Sequence, residues 1–237
     1  MNPPRLSIVM PVYNEEPTLE RIVGRVHAAC GSFAEVIFVD DGSRDRSLAM
    51  LKALARPGDT VLTKPNGGKG SAVRRGFEVA RGNYVIVQDA DLEYDPEEIP
   101  GLLIFAEEHG LQALFGSRRL KMQKQFVHVL FFIGGSILTM ICNVLYGSRL
   151  TDQPTCYKMV LRNILQTLPL RENDFRFDPE LTAMLLRRGI EIAERPISYH
   201  PRSVAEGKKI NWRDWFKWVW VFLKLRFVPT SSFVIRL

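Results

Sequence analysis

Residues 84–93 read Tyr84-Val85-Ile86-Val87-Gln88-Asp89-Ala90-Asp91-Leu92-Glu93, a short β-branched run that ends in acidic side chains at alternate positions. Residues 84–88 predict a strand, and acidic groups just beyond it fall where open parallel sheets bind ligands, outside the carboxyl ends of the strands. The same arrangement recurs twice upstream. A strand over 6–10 ends in Pro11-Val12-Tyr13-Asn14-Glu15, and one over 35–39 ends in Asp40-Asp41-Gly42-Ser43. Helical patterns over 17–29, 48–54 and 97–108 alternate with these strands and with further strands over 60–63 and 111–115. That alternation is the signature of βαβ units. The fold class expected is therefore α/β, a Rossmann-like, mostly parallel sheet flanked by helices, without internal repeats.

Three carboxylate groups then converge on one edge of the sheet. Their mutual repulsion is costly unless something positive sits among them, and hard oxygen donors suit Mg2+ or Mn2+, ions that bridge phosphates. A metal-bound nucleotide diphosphate fits that edge. The glycine-rich turn Asn66-Gly67-Gly68-Lys69-Gly70 is not a dinucleotide fingerprint, because Val73 stands where the third glycine belongs. It is not a P-loop either, since Gly70 follows Lys69 in place of Ser or Thr. The turn reads as a helix start, running through residue 80, that needs close backbone approach.

The 237 residues are 46% apolar and 24% charged, which excludes disordered, collagenous and polytopic membrane classes. Cys30, Cys142 and Cys156 are an odd number without CxxC spacing, so neither a disulfide framework nor a zinc knuckle is expected. Residues 1–5 show no charged n-region or apolar h-region. A cytoplasmic placement is the expectation. The net charge of +6 is unevenly spread: residues 117–149 carry +5 and residues 203–226 carry +4, leaving the rest of the chain at −3. Such a distribution points to an anionic partner or surface.

Two segments could meet a membrane. Residues 126–147 contain one ionisable side chain, His128, and are long enough to span a bilayer. Yet His128, Gly135, Ser136, Thr139, Asn143 and Gly147 fall on one helical stripe. The stripe favours an amphipathic helix, in the membrane plane or packed on protein, over a true span or a core helix. All four tryptophans lie in residues 212–220, where Arg213, Lys217 and Lys224 align along one side of a helix, a mixture suited to a lipid headgroup boundary.

The combination of Pro11-Val12-Tyr13-Asn14-Glu15, Val39-Asp40-Asp41-Gly42-Ser43, Asp89-Ala90-Asp91 and Gly116-Ser117-Arg118 closely resembles family 2 glycosyltransferases of the GT-A fold. Arg202-Ser203-Val204-Ala205-Glu206-Gly207-Lys208 is similar to the subgroup that makes polyprenyl-phosphate sugars, the dolichol-phosphate mannosyl- and glucosyltransferase-like enzymes. By that resemblance Pro11, Tyr13, Glu15, Val39, Asp40, Asp41, Asp89 and Ala90 bind the nucleotide, and Asp89, Asp91 and Glu93 hold Mg2+ or Mn2+. Glu93 stands where relatives often carry Gln. Asp91, Arg118 and Asp152 are the implied catalytic residues, Arg118 on the phosphates and Asp152 on the donor sugar. Arg202 and Lys208 would hold the acceptor phosphate. The implied partners are a nucleotide-diphosphate sugar, GDP-mannose or UDP-glucose with mannose slightly favoured, a polyprenyl-phosphate lipid and a membrane surface.

The chain lacks a good match to the QxxRW-like element of relatives that glycosylate a sugar hydroxyl, Asn211-Trp212-Arg213-Asp214-Trp215 being the nearest. A hydroxyl nucleophile needs a base, whereas a phosphate monoester, with a second pKa near 6, is already mostly dianionic at neutral pH. An inverting transfer to lipid phosphate is therefore expected, with transfer to a saccharide hydroxyl in cell-surface polysaccharide synthesis as the alternative. Nucleic-acid binding is not expected, because the acidic strand ends would repel a polyanion. Glu180 is a second candidate beside Asp152 but reads first as a charge at a helix N-terminus, and His128 and His200 read as structural. The expected organisation is a nucleotide-sugar half (1–120), amphipathic helices (121–149), an acceptor-side half (150–210) and an aromatic, basic C-terminal segment (211–237) peripheral to the cytoplasmic face of a membrane.

Overall fold

The computed structural model describes residues 3–121, 129–201 and 212–228. Four parallel strands, β1 (Leu6–Val12), β2 (Ala34–Asp40), β3 (Thr60–Thr63) and β4 (Tyr84–Val87), form the first part of the sheet. Helices α1 (Glu16–Cys30), α2 (Ser47–Leu54) and α3 (Lys69–Val79) connect them in turn. Five consecutive residues of β1, Leu6–Met10, are buried. A strand with no exposed alternate residue is covered on both faces, which is why β1, β2 and β4 read as continuous apolar runs.

The second part of the sheet adds β5 (Ala113–Ser117), β6 (Lys158–Leu161) and β7 (Ile192–Pro196), giving the order β3-β2-β1-β4-β6-β5-β7. Among the described strands β6 alone runs antiparallel, wedged between β4 and β5. The mostly parallel sheet expected from the sequence is present, and residues 158–161 and 192–196 belong to it, although no strand was expected there. β5 begins two residues later than the 111–115 run suggested and so carries Gly116 and Ser117 to the sheet's carboxyl edge.

The remaining helices are α4 (Ile99–Glu108), α5 (Val129–Tyr146), α6 (Arg162–Leu165), α7 (Phe177–Arg187) and α8 (Trp212–Phe227). They contact one another in two groups, α1 with α2 and α4, and α3, α5 and α8 with α7. Among the described residues no helix is long and apolar enough to cross a membrane. The polar stripe of α5 is there, and it faces protein. Arg119 Nη1 donates to Ser136 Oγ at 2.7 Å, Gln153 N to Thr139 Oγ1 at 3.2 Å and Leu150 N to Asn143 Oδ1 at 2.9 Å. Ile133, Ile137, Met140 and Val144, spaced four, three and four apart, point outward instead. α8 shows the same spacing, with Phe216, Trp220, Leu223 and Phe227 exposed while Trp218, Val221, Phe222 and Leu225 are buried. The two helices touch through Trp215 Nε1, which donates to Gly134 O at 2.9 Å, and Tyr146 Oη, which donates to Phe222 O at 2.7 Å. His128 lies outside the described residues.

Candidate active site

A cleft of about 340 Å³ opens at the carboxyl ends of β1, β2 and β4, a size typical of small-ligand sites. Pro11, Tyr13 and Glu15 line it from the end of β1, Asp41 from the end of β2, and Asp89, Ala90, Asp91 and Glu93 from the end of β4. Arg118, beyond β5, faces them. The sequence-derived candidates thus converge, with three exceptions among the described ones. Val39 is a fully buried strand residue. Asp40 is 1% exposed and braces the sheet, its Oδ1 accepting from Ser43 N at 3.2 Å and its Oδ2 from Thr63 Oγ1 at 3.1 Å. Asp152 lies in the interior behind Arg118. Arg202 and Lys208 lie outside the described residues.

The turns that carry these groups hold unusual backbone. Asn14 (φ 52°) and Leu92 (φ 63°) are the non-glycine residues with positive φ among the described residues, and each sits between two residues of the cleft wall. Asparagine tolerates this region, and Asn14 is pinned there, its N–H donating to Ser43 Oγ at 3.1 Å and its Oδ1 accepting from Arg44 N at 2.8 Å. Leucine does not adopt it readily, so the turn that aims Asp91 and Glu93 is strained, a state surroundings impose at functional positions.

Positive charge does sit among the carboxylates, and the chain's own lysines supply it. Lys69 Nζ lies 2.9 Å from Asp89 Oδ2 and 3.8 Å from Cys156 Sγ. Burial alone would depress the Lys69 ammonium, but the neighbouring Asp89 carboxylate, with the Asp178 charge adding to it, outweighs burial and holds the pKa well above the usual lysine value. Burial, with Asp89 close by, pushes the Cys156 thiol up, so it is no nucleophile at neutral pH. Lys64 pairs with Asp41, whose carboxylate also accepts from Gly67 N at 3.0 Å and Gly68 N at 2.7 Å. The glycine-rich turn is thereby tied to β2. A Cβ on Gly70 would lie 2.4 Å from Glu172 O and 2.7 Å from Phe177 Cβ, so only glycine lets residues 172–177 seat on the turn and bring Phe175 into the cleft wall. The helix start and close approach expected of this turn are present. The sequence reading missed Lys69, although a lone lysine between glycines at the first position of a helix was a visible signal.

Arg118 is anchored as firmly. Its Nε donates to Asp152 Oδ2 at 2.7 Å, its Nη2 to Asp152 Oδ1 at 2.8 Å and to Pro154 O at 3.1 Å, and its backbone N to Asp152 Oδ2 at 2.9 Å. Burial would raise the Asp152 carboxyl, yet the Arg118 charge and hydrogen bonds hold it below the usual carboxylate range. Glu194 completes the cradle by accepting from Asp152 N at 3.0 Å and Thr151 N at 2.7 Å. Glu180 accepts from Arg171 N and Glu172 N at 2.9 Å each, a structural role matching its reading as a helix N-terminal charge.

Among the described residues no three carboxylates, histidines or cysteines gather as a ready-made metal cage. Mg2+ does not need one, since it is commonly held by one or two carboxylates together with substrate phosphates and water. Asp89 and Asp91, oxygen donors on one cleft wall, fit that mode.

The sequence model of glycosyl transferase family 2 matches residues 7–168. The low-salt glycan biosynthesis hexosyltransferase Agl6 of Haloferax volcanii is 32% identical over 210 residues, 84% of this chain and 49% of that protein. The undecaprenyl-phosphate 4-deoxy-4-formamido-L-arabinose transferase of Aeromonas hydrophila is 33% identical over 210 residues, 86% of this chain and 62% of that protein. The chain thus spans about half to two thirds of the length of these curated relatives. Among solved structures, glucosyl-3-phosphoglycerate synthase from Mycobacterium tuberculosis with Mg2+ and uridine diphosphate superposes with a TM-score of 0.72 at 19% identity, covering 97% of this chain and 82% of that one. The sheet and its flanking helices therefore have the GT-A fold. Fold, matched residues and the acidic rim agree, and the chain belongs to glycosyl transferase family 2.

Proposed function

We propose that this glycosyltransferase moves a hexose from a nucleotide-diphosphate sugar to a polyprenyl phosphate, with inversion at the anomeric carbon. The observation that carries the reading is the single cleft in which Asp89 and Asp91 face the chain's own cations Lys69 and Arg118. Pro11, Tyr13, Glu15 and Asp41 form the nucleoside end, with Val39 and Asp40 as its buried support. Asp89, Ala90 and Asp91 form the diphosphate end, with Glu93 beside them. A divalent cation, Mg2+ or Mn2+, held by Asp89 and Asp91 supplies neutralisation of the diphosphate when bound.

The acceptor phosphate, steered by Arg202 and Lys208, attacks the anomeric carbon with an oxygen lone pair. The bond from that carbon to the diphosphate breaks, and its electron pair leaves with the nucleoside diphosphate. No proton must be removed from the nucleophile, so the protein's task is to align the two phosphates and to bear the charge that develops on the leaving group. Arg118 is fitted to this because Asp152 fixes its guanidinium in advance. The undecaprenyl-phosphate transferase named above supports a lipid phosphate acceptor. The reading is tested by incubating GDP-mannose or UDP-glucose, radiolabelled in the sugar, with a short polyprenyl phosphate and Mn2+. Label extractable into butanol is expected, with mannose favoured; label confined to water-soluble or polymeric saccharide would instead support a hydroxyl acceptor.

The lipid acceptor also gives the outward faces of α5 and α8 an occupant. Val144 is 78% and Trp220 64% exposed, apolar area that water covers poorly, while Lys217 and Lys224 stand half-exposed on α8. Such a mixture suits the headgroup boundary of an anionic bilayer and supports peripheral attachment to a membrane, with the cytoplasmic face as the proposed side. Sedimentation with phosphatidylglycerol vesicles is expected to bring the protein down in a salt-sensitive manner. The Val144→Glu, Trp220→Glu double variant should bind at least about 100-fold more weakly, since each large apolar side chain contributes about 1.5–3 kcal/mol when buried and 1.4 kcal/mol is tenfold. Equal sedimentation of the two proteins would contradict this placement.

A further inference from the structure

Carboxylates of the cleft wall take partners from the chain itself, and the partners differ in where they stand. Asp41 pairs with Lys64, Asp178 Oδ1 lies 3.0 Å from the Nζ of the buried Lys158, and Glu93 Oε2 accepts from the Tyr199 hydroxyl at 2.8 Å. Neither Lys64 nor Lys158 lines the cleft. Lys69 does, and its Nζ meets Asp89 Oδ2 at 2.9 Å, the two side chains being 15% and 20% exposed. The backbone carrying Lys69 is clamped on either side. Gly67 N and Gly68 N donate to the Asp41 carboxylate, and Ser71 N donates to Asn173 O at 2.9 Å. A monovalent cation is thus built onto the carboxylate proposed to hold the divalent one.

We infer that Lys69 sets the order in which the donor site fills, admitting the nucleotide diphosphate before the divalent cation. A lysine is charged at neutral pH. Its hydrogen bond to Oδ2 does not bar Asp89 from a divalent cation; what opposes that cation is repulsion between like charges gathered on one carboxylate. Charges of +1 and +2 about 5 Å apart repel enough to weaken binding more than about tenfold even at the dielectric of water, and burial strengthens the effect. Asp178 offers little relief, because Lys158 already neutralises it, and Cys156, 3.8 Å from Lys69, is held as an uncharged thiol. The same ammonium attracts a diphosphate, whose negative charge then offsets that of the entering cation. The inference rests on the proposed donor site, so its test separates the two.

Wild type, Lys69→Gln, Lys69→Met and Lys69→Arg are compared by calorimetric titration of Mn2+ alone, of UDP and GDP without Mn2+, and of Mn2+ into the nucleotide complex. Paramagnetic resonance of unbound Mn2+ measures the metal arm independently. Removing the charge should move the two ligands in opposite directions. Lys69→Gln, whose amide can still donate to Asp89, should bind Mn2+ about tenfold more tightly and nucleotide about tenfold more weakly than wild type. Lys69→Met should do the same, while Lys69→Arg, which keeps the charge, should stay near wild type for both. A lysine with a merely structural role would not give this pattern, because a distorted cleft weakens both ligands. Weakening of both, or unchanged Mn2+ affinity in the two neutral variants, would overturn the inference. Wild type alone also decides it: Mn2+ binding as tight to the nucleotide-free protein as to its nucleotide complex would overturn it without any variant. A wild type that binds neither nucleotide, with or without Mn2+, would defeat the proposed donor site, and the Mn2+ titration of Lys69→Gln would still decide whether Lys69 repels a cation from Asp89.

Discussion

Asp91→Asn is expected to lower sugar transfer about 100- to 1,000-fold while leaving the fold intact, the scale of effect when charge stabilisation at a departing group is withdrawn. The side chain belongs to the cleft wall and not to the core. Its Oδ1 accepts from Glu93 N at 3.1 Å, a bond the asparagine oxygen can keep, so the turn around Leu92 retains its support. What disappears is one negative charge facing the diphosphate end of the cleft. Initial rates at graded Mn2+ check this: the loss should shrink as Mn2+ rises, because weaker attraction for a cation can be offset by concentration. Rates within threefold of wild type at every Mn2+ level would remove Asp91 from the site.

Asp152→Asn acts through a different cause. Asp152 is wholly buried and takes both Nε and Nη2 of Arg118 in a two-pronged pair. Removing the charge leaves the guanidinium in a mostly buried position without its counter-ion, and breaking such a pair from one side costs about 3–5 kcal/mol. Chemical denaturation should show that loss, and transfer should fall with it because Arg118 no longer points reliably into the cleft. The Asp152→Asn, Arg118→Met double variant should be destabilised by less than the sum of its parts, since no buried charge remains. The pair also sets a pH dependence. The folded-state pKa of Asp152 lies below its unfolded value, so its contribution is present above the ordinary carboxylate range and is lost as pH falls through the folded value. Wild-type stability should therefore drop more steeply in acid than that of Asp152→Asn, and parallel acid profiles would show that the pair contributes nothing.

The first four strands were legible because each is a short apolar run closed by polar residues. β3 falls on residues 60–63, and β1, β2 and β4 differ from expectation only at their ends. β6 was not legible. Lys158–Leu161 is four residues long, opens with a lysine, and owes its strand conformation to insertion between β4, about 75 residues away, and β5, about 45 residues away. Local pattern carries no record of such pairing. Lys158 itself is buried because Asp178 Oδ1 lies 3.0 Å from its Nζ, a match made across 20 residues of chain. The stripe on α5 was legible, whereas its direction was not: periodicity reports that one side of a helix differs, and only the positions of Arg119, Gln153 and Leu150 decide that the polar side turns inward.

The same limit applies to the site. Asp41, Asp89, Asp91 and Arg118 could be placed from strand ends alone, since a sheet's carboxyl edge gathers whatever follows its strands. Asp40 could not be separated from them, because one-residue differences in direction divide a cleft wall from the interior, and Asp152 could not because the partner that buries it, Arg118, lies 34 residues away. Lys69 and Tyr199 become visible only where the glycine turn and the stretch after β7 meet the end of β4. Both lie far along the chain from the carboxylates they contact.

The account turns on a nucleoside diphosphate seated at the ends of β1, β2 and β4. Calorimetric titration of UDP and of GDP, each with and without Mn2+, tests it most directly. One of the two should bind at a single site per chain, more tightly with Mn2+, and Asp91→Asn should shift the Mn2+ enhancement to higher Mn2+. Heat of binding absent for both nucleotides under both conditions would contradict the account at its foundation.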